Sequence, residues 1–113
     1  MAKVYILPEL IRQIQKLFKG NSDEIFDLME ELENNPHKGK TIGNIGRIVI
    51  KELKYRNFRF YFIVEGHKLK CVNAEELKEL LIKFVRMSDK NLQQGTINEI
   101  KHILKLVGFE EFS

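Results

Sequence analysis

The apolar residues of this chain change their period at Pro36, and that change sets what the chain can fold into. Ahead of it, Leu10, Ile11, Ile14, Leu17 and Phe18 recur at helical spacing. Pro8 suits the first turn of that helix and Gly20 supplies its stop. A second stripe, Ile25, Leu28, Met29 and Leu32 with Phe26 at its edge, follows Asn21 or Ser22 as a cap. Asp23 and Glu24 suit the positive end of its dipole, and Asn34-Asn35-Pro36 ends it. Beyond Pro36, Arg47 to Leu53 and Phe58 to Val64 are dense in β-branched and aromatic residues, which predicts two strands around a turn at Lys54 to Asn57. Helices that precede a run of strands predict an α+β chain, with an antiparallel helix pair laid across a sheet.

The flanks extend this pattern. Val4 to Leu7 is apolar and cut short by Pro8, so it predicts a first strand. His37 to Gly46 holds Gly39, Gly43 and Gly46 and predicts a loop. After the turn signal Glu65-Gly66, His67 to Val72 is open to a strand and Asn73 to Glu79 to a helical turn or an insertion, before a strand at Leu80 to Val85. Thr96-Ile97-Asn98-Glu99 has the form of a capping box, Ile97, Ile100, Ile103, Leu104 and Val107 form the stripe of a last helix, and Gly108 with Phe109 closes it. The expected order is β-α-α-β-β-β(-β)-α: a small, mostly antiparallel curved sheet packed on two N-terminal helices, with a C-terminal helix. At 113 residues one domain spanning 1–113 is expected, the length being too short for two.

The one cysteine, Cys71, excludes an intramolecular disulfide and a thiol-bound zinc, and it reads as a buried or half-buried strand residue in a reducing compartment. The apolar run before Pro8 is far shorter than a signal peptide or a membrane span, so a soluble, cytoplasmic protein is expected. His37, His67 and His102 lack the spacing of a metal site. Gly39-Lys40-Thr41 has Asn34 where a phosphate-binding loop needs glycine, and no nucleophile elbow occurs. No metal and no cofactor are expected.

Charge is informative through its distribution. The net charge is only +3, but Asp23, Glu24, Asp27, Glu30, Glu31 and Glu33 stand together without a base. Lys38, Lys40, Arg47, Lys51, Lys54, Arg56 and Arg59 then face the single acid Glu52. The acid run is a solvated face or a dock for a basic segment. The basic run makes a local field for a polyanion. By strand parity Ile48, Ile50, Phe58, Phe60, Phe62 and Val64 face the helices, and Arg47, Lys51, Arg59 and Tyr61 share the other face. Cations that hold phosphates beside aromatic rings that stack on bases are the pairing single-stranded RNA recognition uses.

The order of elements together with Leu32-Glu33-Asn34-Asn35-Pro36-His37-Lys38-Gly39 and Tyr55-Arg56-Asn57-Phe58-Arg59-Phe60-Tyr61-Phe62 resembles the RelE/ParE superfamily of toxins from toxin–antitoxin systems. Leu81 to Lys90 and Glu99-Ile100 look closer to its HigB-type, phage-derived branch. The resemblance implies a ribosome-dependent endoribonuclease that cleaves messenger RNA and is held inactive by an antitoxin protein covering the basic hairpin. It implies Arg59 and Arg86 on the phosphate, with Lys54 and Tyr61 completing the catalytic set. Arg47, Lys51, Arg56, Lys83 and Lys90 would contact RNA. Two departures stand out: Ile50 and Glu52 occupy the places of the RelE branch's alternating lysines, and Ser88 to Gln94 offers no match for its catalytic tyrosine. The chain therefore uses a HigB-like arrangement or has lost cleavage, and the alternatives are a non-catalytic nucleic-acid-binding or regulatory module and a ParE-like gyrase inhibitor.

Overall fold

A computed structural model describes residues 2–70, 75 and 78–113, and Cys71 with most of the stretch after it lies outside the described residues. The chain is α+β. Strand β1 (Lys3–Ile6) leads into helices α1 (Pro8–Leu17) and α2 (Ser22–Glu30), a 3-10 turn (Glu31–Glu33), and strands β2 (Lys40–Ile45), β3 (Ile48–Tyr55) and β4 (Phe58–Glu65). Among the described residues, a helical turn α3 (Gly66–Leu69), strand β5 (Leu81–Asp89) and helix α4 (Gln93–Val107) follow. The five strands form one sheet in the order β1-β5-β4-β3-β2, with β1 parallel to β5 and every other pair antiparallel. Among the described residues no helix is long and apolar enough to cross a membrane.

The segment His37 to Gly46, expected as a loop, contains β2. Its sequence lacks an alternating apolar pattern, because an edge strand with a bulge between Thr41 and Gly43 needs only the free hydrogen-bonding edge of β3 to pair with. Where a strand over His67 to Val72 was open, Gly66–Leu69 is a helical turn. The capping box at Thr96 does not form: α4 begins at Gln93, Asp89 Oδ1 accepts from the amides of Asn91 and Leu92 at 2.8 and 3.0 Å, and Glu99 is drawn to Arg86 instead.

The hairpin of β3 and β4 turns on Arg56 and Asn57 alone, with Arg56 at φ 54°. A two-residue turn inverts the parity between its strands. Tyr55 pairs with Phe58, Leu53 with Phe60 and Lys51 with Phe62, and directly opposed residues share a face. That face carries the N-terminal helices. Phe18, at the end of α1, makes edge-on contacts with Tyr55 and Phe58 and a tilted one with Phe60. Leu10, Ile14, Ile25, Met29 and Leu32 are buried with them. Each such side chain, fully removed from water, contributes about 1.5–3 kcal/mol. Leu17 is the stripe's exception, at 57% exposed.

The opposite face, under α4, carries Ile48, Ile50, Glu52 and Lys54 of β3 with Arg59, Tyr61 and Ile63 of β4. The expected grouping of Arg47, Lys51, Arg59 and Tyr61 is thus split, because Lys51 belongs to the helix face and Arg47 to the turn before β3.

Candidate nucleic-acid interface

Pairing across the sheet arranges the α4 face in two rows. Lys40 of β2 opposes Glu52, Glu52 opposes Tyr61, and Tyr61 opposes Arg86. In the next row Lys54 opposes Arg59, and Arg59 opposes Ser88. A bulge between Tyr61 and Phe62 leaves Val85 without a partner in β4, so that Arg86 and Lys83 both turn to this face although three residues apart. All four candidates, Lys54, Arg59, Tyr61 and Arg86, share it.

Only two of the four line the open cleft there. It has a volume of about 640 Å³ and is lined by Lys38, Lys40, Glu52, Lys54, Arg59 and Gln93, together with Leu28 of α2 and Leu53 of the helix face, so that it reaches past the α4 face at that end of the sheet. Lys40, Lys54 and Arg59 stand around the one carboxylate Glu52, and Lys38 at the rim is paired with Glu31 at 2.8 Å, which leaves the cleft a net positive charge. Gly39 shapes the wall where β2 enters. Its φ of 100° and the approach of an ideal Cβ there to 2.9 Å from Phe62 Cζ admit only glycine without strain.

Arg59 is held from two sides. Its Nη1 donates to the Phe58 carbonyl at 3.1 Å, and its Nε lies 3.3 Å from Glu52 Oε2. The approach to Glu52 is off the line of a hydrogen bond, so Oε2 is buried without a hydrogen-bonding partner, the one such side-chain atom among the described residues. Tyr61 is fully buried, with its hydroxyl 2.9 Å from Ser88 Oγ. Burial raises its phenol above the ordinary tyrosine value, the Ser88 hydrogen bond opposing part of that rise. A fully buried ring with its hydroxyl taken up by Ser88 has no exposed face or free edge at the cleft. Arg86 stands beside the cleft and is engaged at each of its three nitrogens: Nε donates to Glu99 Oε2 at 3.2 Å, Nη1 to the Val85 carbonyl at 2.8 Å and Nη2 to the Ser113 carbonyl at 3.1 Å, with Phe112 beneath the guanidinium.

The five residues expected to contact RNA are dispersed. Lys51 is buried on the helix face, donates to the His37 carbonyl at 3.0 Å and lies over Phe62. Lys83 is buried and donates to the carbonyls of Phe109 and Glu110 at 3.0 and 3.3 Å. Burial pushes both amines below the ordinary lysine value. Both are thus buried rather than exposed on the basic surface. Arg56 is exposed in the turn over the ring of Tyr55, and exposed Lys90 is tied there by its amide to the Asn57 carbonyl at 2.9 Å. Both stand at the cleft's end of the hairpin. Arg47 is at the other end, seven residues from Lys54 and about 23 Å away at the rise of an extended strand.

Lys40, Glu52 and Gln93 were not singled out as site residues from the sequence. Lys40 depends on the β2 pairing, Gln93 on the early start of α4, and Glu52 stood out only as a departure from a lysine pattern. Among the described residues no group of three or more His, Cys, Asp or Glu side chains could hold a metal ion. Comparison with protein-family models, with curated proteins and with solved structures finds no match to this chain. What the fold and site define by themselves is an α+β chain with a basic cleft on one face of its sheet.

Proposed function

We propose that this protein is the toxin of a type II toxin–antitoxin pair, a ribosome-dependent endoribonuclease of RelE type that cleaves messenger RNA in the cytoplasm. The observation that carries the reading is the convergence of Arg59 and Lys54 with Lys40 and Lys38 on one cleft. Such cations can bind a phosphodiester and stabilise the charge that builds on it when the 2′-oxygen attacks. The reaction is a transesterification: the 2′-hydroxyl loses its proton as its oxygen bonds to phosphorus, and the 5′-oxygen leaves taking a proton, giving a 2′,3′-cyclic phosphate and a free 5′-hydroxyl. Arg59 serves the non-bridging oxygens and Lys54 is placed beside the same phosphate, while Arg56 and Lys90 extend the basic surface toward the ribosome. The antitoxin would act by covering this hairpin.

A second reading is a non-catalytic RNA-binding module. It is favoured by the burial of Tyr61 and the engagement of Arg86 with Glu99 and Ser113, which leave the cleft without those two groups.

The test incubates purified protein with messenger RNA, with and without programmed ribosomes, and maps the cut sites. Ribosome-dependent cutting is expected, reduced about a hundredfold in Arg59→Ala. Binding without cutting in either condition would replace the first reading by the second, and gyrase inhibition without RNA cutting would point to the ParE-like activity.

A further inference from the structure

The carboxylate at the centre of the basic cleft is the least expected group in it. Glu52 is 9% exposed, and its Oε2 is buried with no hydrogen bond. A carboxylate oxygen taken from water with no hydrogen bond is poorly compensated even beside a guanidinium at 3.3 Å, so its retention in the site asks for a role. Among the described residues its ion pair is with the Arg59 guanidinium, itself only 13% exposed as a side chain. The pair is close but badly aligned, which makes it a weak mutual partner compared with the bidentate grip a guanidinium gives to a phosphate.

We propose that Glu52 is a resident anion that occupies Arg59 until a substrate phosphate displaces it, so that the cleft selects polyanionic RNA over small anions. This rests on the reading of the cleft as a phosphodiester site and adds how that site is kept closed to the wrong ligands. Displacement is feasible because the freed carboxylate has a second cation at hand: Lys40 stands directly opposite it on β2. The freed guanidinium gains the phosphate together with Lys54, its own cross-strand neighbour, and so relieves a like-charge opposition built into the register. A lone anion contacts few of these cations and competes poorly with Glu52. An oligonucleotide that spans Lys40 and Lys54 brings enough attraction to drive the exchange.

The experiment compares the protein with Glu52→Gln, using inorganic phosphate and a non-cleavable 2′-O-methyl oligoribonucleotide as probes, followed by NMR of the arginine Nε–Hε resonances. Glu52→Gln is expected to bind inorganic phosphate about tenfold more tightly, with a smaller gain for the oligonucleotide, because only the small anion lacks the other contacts. Unchanged or weakened phosphate binding in the folded variant would overturn the proposal and make Glu52 a residue that merely positions Arg59. Should the variant not fold, the wild-type protein still decides. The Arg59 Nε–Hε resonance must move as the oligonucleotide saturates, and a resonance that stays fixed overturns the exchange. Oligonucleotide binding that depends on Lys40 and Lys54 but shows no advantage of Glu52→Gln for phosphate removes this inference alone. No oligonucleotide binding at all removes the cleft reading with it.

Discussion

The two faces of the same sheet are built on opposite terms. Beneath α1 and α2, β3 and β4 present Leu53, Tyr55, Phe58, Phe60 and Phe62, and the one ammonium among them, Lys51, is satisfied by a backbone carbonyl. Beneath α4, the same strands present Glu52, Lys54, Arg59 and Tyr61, with a buried carboxylate oxygen unsatisfied and two cations directly opposed. Apolar burial stabilises the fold on the first face and, through Ile50 and Ile63, on part of the second as well. The second face spends part of that stability on charges held close together, and a ligand of opposite sign is what relieves them. The alternation is sharpest near the hairpin turn, where Leu53 and Tyr55 face the helices and Glu52 and Lys54 face the cleft.

The sharpest way to break this division is to remove mass from the apolar face. Phe60→Ala is expected to destabilise the fold by about 3–5 kcal/mol in denaturant unfolding, since the ring is fully buried against Phe18 and its neighbours. A loss below about 1 kcal/mol would show that this face is not the core it is taken to be. Tyr61→Phe tests whether the α4 face holds a purely structural tyrosine. Loss of the Ser88 hydrogen bond is expected to cost about 0.5–1.5 kcal/mol with cleavage unchanged, and a large drop in cleavage at retained stability would restore a chemical role to the phenol.

The smallest effect is in pH dependence. Burial lowers the Lys51 amine below its usual value, so in that range the unfolded chain binds the more protons. The penalty of holding Lys51 charged is full below its folded value. It is relieved as pH climbs from there toward the ordinary lysine value, where stability rises. Replacing Lys51 with Met should flatten that alkaline rise in thermal unfolding, and an unaltered slope would place the lysine in water rather than against Phe62.

The α+β class, α1, α2, β4 and the last helix were legible because each writes its period into a contiguous run of residues. Ile25, Met29 and Leu32, or Phe58, Phe60 and Phe62, need no partner to declare a face. The site was legible only in part. Arg59 and Lys54 could be named from the basic run, but β2 carries no alternation of its own, and Lys40 entered the cleft only through its pairing with β3.

What the sequence determined by itself was therefore the identity and order of most elements and the segregation of acids on α2 from bases on the hairpin. The tertiary structure alone decided which charges meet. A two-residue turn at Arg56-Asn57 reverses parity between β3 and β4, and one bulge at Val85 reverses it again within β5. Because side chains alternate with a period of two, each one-residue shift exchanges the faces. That is why Lys51 is buried on the face opposite Lys54 and Arg59, whereas Lys83 shares their face and is buried there by the segment that carries Phe109 and Glu110.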